Sequence, residues 1–294
     1  NIPSWLRNDI KNNLGKEVLN QISKTIVNEP DLDIKIKIDC LKEHNWEKVL
    51  NGNFILKDVI RIKNDGPIEK KPFFNKGIWW VQNISSTIPV RLISKIFYQK
   101  DNSKISILDV GAAPGGKTFQ LIEEKFNVKS LDISERRIRR LKQNLQRLNF
   151  KSKVIFKDFF EFKSFDLFDC ILIDAPCTAS GLIQKKPEIL IHNKELDLRN
   201  LINKQRKMLD KSVGLLKAGG YIVYCVCSIH SSEGIKQIEN FLKNNINFET
   251  VELDSRISTF GKTLMKGMLL ITPNNRSLVR GTDGFFISVL KKIK

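Results

Sequence analysis

Two cysteines stand where short apolar runs end: Cys177 in Asp174-Ala-Pro-Cys177-Thr-Ala-Ser-Gly181, and Cys227 in Tyr224-Cys-Val-Cys227-Ser228. A thiolate is a strong nucleophile, and a cysteine after a proline in a small-residue turn can be activated by helix N-termini and basic groups. Other uses of sulfur compete with this one. Cysteine often packs as a small buried hydrophobe, which suits Cys170 inside FDCILID, and Cys40 shows no role. Zinc is disfavoured and no metal is expected: there is no Cys-x-x-Cys pair, and of His44, His192 and His230 only His230 lies close to Cys227. Five cysteines at irregular spacings in 294 residues are not a disulfide framework, so reduced thiols in a cytoplasmic protein are expected.

A second constellation precedes the thiols. The run Asp109-Val-Gly111-Ala112-Ala113-Pro114-Gly115-Gly116-Lys117 follows a strand-like segment and opens a helix. Small residues there let the backbone approach a ligand, and the helix points free N–H groups at a negative group. A dinucleotide site would want Gly-x-Gly-x-x-Gly, which this loop lacks. Asp132 ends the next strand about 20 residues on, where an acid can accept from ribose hydroxyls. Asp158 and Asp174 end the third and fourth strands, so four carboxylates line the edge where open α/β sheets bind ligands. A single such Asp is more often a cap or turn residue; four at consecutive strand ends point to a ribose-containing ligand. The loop sequence favours S-adenosylmethionine (SAM).

A thiol beside SAM suits a specific reaction. Carbon 5 of cytosine is too weak a nucleophile to take a methyl group unaided, but a thiolate adding to carbon 6 makes carbon 5 enamine-like. A carboxyl group near N3 and the exocyclic amine stabilises that adduct, a role open to Asp174. The carbon-5 proton must then leave so that the thiol can be expelled, and a second thiol can assist. Such a base must be single-stranded or flipped out. Either thiol could be the attacking one as far as these residues tell.

The elements that position these groups alternate. ISILDVG (105–111), KSLDIS (129–134), KVIFKD (153–158), FDCILIDAP (168–176) and GGYIVYCVCS (219–228) read as strands. The spacing predicts helices after the glycine loop, over 135–148 with Ile138, Leu141, Leu145 and Leu148 on one face, over 195–216 and over 234–244; FETVELD and FFISVLKK close the chain as strands. This is the pattern of an α/β, doubly wound parallel sheet, with the fourth and fifth strands as neighbours. The first 84 residues differ: a helix over 9–27, then IKIKID, FILKDVIRI and the turn NDGP, a small α+β unit.

These motifs resemble the Sun/Fmu (RsmB-like) RNA cytosine-5 methyltransferases. The resemblance spans about 73–294: Gly77-Ile-Trp-Trp-Val-Gln82-Asn83 (where the family usually has Asp at the last position), DVGAAPGGKT, LDIS, KDFF, DAPCTASG, VCS and Arg280-Gly-Thr-Asp-Gly-Phe-Phe286. It implies a Rossmann-like SAM methyltransferase fold with a seven-stranded, mostly parallel sheet over 77–294. Residues 1–76 are then a small RNA-recognition-like α+β domain. It implies that Cys227 is the nucleophile and Cys177 the residue promoting release, with Gly111–Lys117, Asp132, Asp158 and Asp174 on the cofactor. Val226 replaces the family's usual Thr, and Cys225 a small residue. Bacterial relatives carry a NusB-type domain ahead of this region, and a further N-terminal portion is expected before Asn1.

Charge fits that substrate class. Lys and Arg number 50 against 32 Asp and Glu, a net +18 that attracts polyanions, although charge alone does not separate RNA binding from a solvated basic surface. Arg136, Arg137, Arg139, Arg140, Lys142 and Arg147 read as a solvated helix face, whereas Lys185 and Lys186, following the Cys177 turn, are candidates for RNA phosphate contacts. Small-subunit (16S) ribosomal RNA is the expected partner and tRNA the second; a catalytically silent RNA-binding assembly factor and a small-molecule SAM enzyme are alternatives. The paired thiols disfavour both alternatives, and the charge also disfavours the second. A monomer is expected, and no membrane segment.

Overall fold

The structure is a computed structural model, described here over residues 2–26, 30–192, 195–274 and 281–293; Arg280 lies outside the described residues. Strands are β1 (Leu32–Ile36), β2 (Gly52–Leu56), β3 (Val59–Ile62), β4 (Trp79–Val81), β5 (Ser106–Val110), β6 (Asn127–Asp132), β7 (Lys153–Phe156), β8 (Phe168–Asp174), β9 (Leu216–Val226), β10 (Phe248–Thr250), β11 (Lys262–Met265), β12 (Met268–Ile271) and β13 (Phe285–Lys292). Helices are α1 (Ser4–Leu14), α2 (Lys16–Thr25), α3 (Trp46–Leu50), α4 (Ile84–Ile96), α5 (Gly116–Glu123), α6 (Glu135–Arg147), α7 (Ile189–His192), α8 (Glu195–Val213), α9 (Ile235–Asn244) and α10 (Ser255–Ser258).

The large sheet runs β11-β12-β13-β9-β8-β5-β6-β7, with β10 also paired to β13. Strands β5 to β9 pair in parallel, and β13 runs antiparallel to β9. With β10 and β13 they make the seven strands of a Rossmann-like methyltransferase sheet. The β11–β12 hairpin extends it to nine strands, a segment that the strand pattern of the sequence passes over. Its turn is held by Gly267, in the left-handed region at φ 72°. Central strands such as β8 are buried on both faces, which is why FDCILID reads as continuous apolar sequence.

Helices cover both faces. One face packs against α8 and α9 through Met208, Leu209, Ile238 and Phe241; the other packs against α4 and α5 through Ile88, Ile93 and Leu121. Helix α6 begins where Ser134 accepts from the Arg137 N–H, buries Ile138, Leu141 and Leu145, and exposes Arg136, Arg139, Arg140 and Lys142. Among the described residues no helix is long and apolar enough to cross a membrane.

The small antiparallel sheet, ordered β2-β3-β1-β4, packs around Ile34, Ile36, Trp46, Ile60 and Trp79. Its strand β4 comes from Trp79–Val81, past residue 76. Helices α1 and α2, split at Gly15 rather than continuous over 9–27, bury Leu6, Ile10, Leu19 and Ile22 in the core of the large sheet, not the small one. The small sheet is docked by buried ion pairs. Lys35 reaches Glu123 on α5 at 2.5 Å and Arg91 on α4 reaches Asp58 at 2.6 Å, while within the small sheet Lys35 also pairs with Asp58 at 3.1 Å and Arg61 forks onto Asp33. A buried charge left unpaired is costly, so these pairs resist separation.

Candidate active site

Two hollows meet at the carboxyl ends of β5, β8 and β9 and share Gly111, Asp174 and Cys227. The first, about 250 Å³, is lined by Asp132, Ile133, Asp158, Phe160, Pro176, Cys177 and Met208. The second, about 340 Å³, is lined by Gln82, Asn83, Ala112, Ala113, Pro114, Gly115, Gly116, Lys117, Lys185, Asp283 and Phe285. The ten residues read as a cofactor site therefore divide: Asp132 and Asp158 border only the first hollow, Ala112 to Lys117 only the second, and Gly111 and Asp174 both.

The loop has local causes. Gly111 sits at φ 79°, and a Cβ there would lie 2.4 Å from the Asp174 carbonyl oxygen, so strands β5 and β8 can approach only with glycine at this point. Asp132 accepts from the Ala113 N–H at 3.1 Å and from the Ser134 N–H at 2.9 Å. It thus braces the loop with one lone pair of each oxygen and keeps others for a ligand. Asp158 accepts from the Phe160 N–H at 2.8 Å. Helix α5 starts after Gly115 with no side-chain cap, leaving first-turn N–H groups to a ligand or water.

Asp109 lies deeper than an edge position implies. It is fully buried, accepts from the Thr118 hydroxyl at 2.6 Å through one oxygen, and its other oxygen has no partner. Burial pushes its carboxyl up to about 7. Lys117 turns back to Asp174, Nζ to Oδ2 2.8 Å. Burial opposes its charge, but Asp174 outweighs it and holds the ammonium above the usual lysine range.

Both thiols open on this cleft, and the two sulfurs are 3.4 Å apart. The pairing follows from the parallel β8–β9 register, in which Asp174 stands opposite Cys225. Loop contacts complete it: Ala175 N–H donates to the Cys225 carbonyl and Gly181 N–H to the Cys227 carbonyl, each at 3.0 Å. The hydrogen bond to Cys227, and after it burial, pushes the Cys177 thiol well up. Either sulfur can donate to the other across this contact. Cys225 is buried beneath Asp174, its Sγ 3.8 Å from Oδ1, and burial keeps it a thiol. Cys170 is wholly in the core, Cys40 sits under the small sheet, and Val226 packs in the core of the large one.

Lys185 and Lys186 part company. Lys185 lines the second hollow and pairs with Asp283 at 2.9 Å, whereas Lys186 is exposed outside both. Arg137 also differs from a solvated residue: it borders the first hollow, and its guanidinium reaches the Ala113 carbonyl and, at 3.5 Å, Asp132. The sequence reading gave no role to Glu233, a fully buried acid touching the residues after both thiols. Its only signal is that it lies shortly after Cys227, on the way into a helix.

Comparison with known proteins places these features in a group. Residues 96–291 match the family model described as 16S rRNA methyltransferase RsmB/F. The ribosomal RNA small subunit methyltransferase B of Photorhabdus laumondii is 35% identical over 239 residues, 80% of this chain and 52% of that one. The chain spans about half the length of the curated relatives it matches. The crystal structure of PH0851 superposes with a TM-score of 0.85 at 28% identity, over 99% of this chain and 66% of that one. A methyltransferase homologue from Pyrococcus horikoshii gives a TM-score of 0.72 at 25% identity, over 97% and 93% of the two chains.

Proposed function

Because the chain belongs to the 16S rRNA methyltransferase RsmB/F family, we propose that it transfers a methyl group from SAM to carbon 5 of a cytosine in small-subunit ribosomal RNA, through a covalent adduct at carbon 6. The observation that carries this reading is the pair of sulfurs 3.4 Å apart in one cleft with Asp174 and the glycine loop.

The residues present suit SAM. The unpartnered, buried oxygen of Asp109 beside the glycine loop is an acceptor awaiting a donor such as an ammonium. Asp132 and Asp158 at the first hollow offer acceptors to ribose hydroxyls and an adenine amine, and Ile133, Phe160 and Met208 offer apolar walls. When bound, SAM supplies an electrophilic methyl group. Its analogues carry the same ribose and amino-acid groups for these residues.

The target cytosine belongs in the second hollow, against Cys227, Lys117 and Asp174. Cys227 adds as thiolate to carbon 6. The Lys117 ammonium neutralises charge developing on the ring, and Asp174, anchored by that ammonium, accepts from the exocyclic amine. Carbon 5, now nucleophilic, takes the methyl group. The carbon 6–sulfur bond then breaks as Cys177 gives its proton to the departing Cys227 sulfur and takes the carbon-5 proton in its place, which leaves both cysteines as thiols and the ring aromatic again.

The test is methyl transfer from labelled SAM to unmodified small-subunit rRNA, with tRNA in parallel and nucleosides analysed by mass spectrometry. 5-Methylcytidine at one site of the rRNA is expected. Methylation of tRNA alone moves the substrate, and label on another base or none rejects the chemistry.

A further inference from the structure

Resting on that reading, we infer that Glu233 is a positioning residue that holds the two thiol-bearing loops in their working relation. Glu233 lies ahead of α9, and its carboxylate is fully buried. One oxygen accepts from the Thr178 N–H at 2.9 Å and the Gln205 side-chain amide at 3.0 Å. The other accepts from the Thr178 and Ser228 hydroxyls, each at 2.5 Å. Thr178 directly follows Cys177, and Ser228 directly follows Cys227. Gln205, on α8, also donates to the Pro176 carbonyl at 2.9 Å, so Glu233 and Gln205 grip the chain on both sides of Cys177.

No salt bridge reaches Glu233 among the described residues. Its acceptors are met by neutral donors instead, a network that holds geometry as long as every member is satisfied. The surroundings reinforce it. Ser228 bonds to Ser180 at 2.8 Å and receives the His230 N–H at 3.1 Å, and Gln237 donates to Gln205 at 3.1 Å. The thiols themselves come from two strand ends, and this cluster joins the main-chain bonds and the sulfur–sulfur contact in linking the loops that carry them. Glu233 touches neither hollow, so it acts through the cysteines.

The experiment compares the wild type with Glu233→Ala, Glu233→Gln and Gln205→Met. Folding is followed by thermal melting, kcat and KM by methyl transfer to rRNA, and the alkylation of Cys227 against Cys177 by iodoacetamide with site-resolved mass spectrometry. Glu233→Ala is expected to lower kcat on the order of 100-fold, as for misplacement of a reacting group by about 1 Å, with KM for RNA unchanged and the ratio of Cys227 to Cys177 alkylation shifted from that of the wild type. Glu233→Gln should restore most of both, because the Thr178 and Ser228 hydroxyls can turn to accept from an amide. A folded Glu233→Ala protein with wild-type kcat and alkylation overturns the inference, as does a rise in KM alone. A Gln variant as poor as the Ala variant also overturns it, since charge and not positioning would then be at work. Should Glu233→Ala fail to fold, Gln205→Met decides: a fall in kcat of about tenfold is expected from a lesser misplacement, and wild-type kcat overturns the inference. A wild type that methylates no RNA defeats the proposed function, while the alkylation comparison, which needs neither RNA nor SAM, still decides the role of Glu233.

Discussion

Replacing Cys177 with alanine separates the two halves of the covalent cycle. The substitution leaves Cys227, Lys117 and Asp174 in place, so addition to carbon 6 and methyl transfer proceed. It removes the donor 3.4 Å from the Cys227 sulfur. A hydrogen bond to a charged partner is worth about 1.5–3 kcal/mol, which makes expulsion of the thiolate about 10- to 150-fold slower. The covalent complex should therefore accumulate. The assay is a denaturing gel of end-labelled RNA with SAM, in which Cys177→Ala gives a slow-migrating protein–RNA band, the wild type little of it, and Cys227→Ala or the double variant none. Chase with excess unlabelled RNA measures the decay of the band and hence the slowed step. A band with Cys227→Ala and not Cys177→Ala would reverse the two roles. Methylation by the wild type with no band from any variant would refute the covalent mechanism.

Asp109 offers a test by pH. With its carboxyl lifted by burial from 3.8 to about 7, the folded protein keeps a proton that the unfolded chain gives up, so this stability is whole below about pH 4 and lost as pH rises through 7. Asp109→Asn should flatten urea-unfolding stability over that window, by on the order of 4 kcal/mol at most, and an unchanged slope refutes the assignment. Gly181→Ala puts a Cβ 2.0 Å from the Gly284 carbonyl oxygen, and the Gly181 N–H holds the Cys227 carbonyl. It should cost about 1–3 kcal/mol or more in a urea melt and lower kcat, and wild-type stability would show that the crossing is looser. Lys186→Ala should reduce the slope of log affinity for RNA against log salt by about 0.7–0.9, the share of one phosphate contact; an unchanged slope removes Lys186 from the RNA surface.

Much of this protein is legible residue by residue. Continuous apolar runs such as FDCILID and the periodic face of α6 announce buried parallel strands and amphipathic helices, because those patterns arise from local geometry and one-sided burial. Glycine, proline and acid at consecutive strand ends mark the ligand edge for the same local reason. The β11–β12 hairpin was less visible, and so was the break between α1 and α2, because Gly15 alone does not say which core each helix will join. Tertiary structure decided what depends on distance across the chain. Lys117 sits with Asp174 and not with Asp132, Lys185 is paired while Lys186 is exposed, and Glu233 is a buried clamp. Above all, the two thiols meet at 3.4 Å, where the neighbouring sulfur and then burial push the Cys177 thiol up. Those are properties of a site assembled from several strand ends, and no spacing along one strand encodes them.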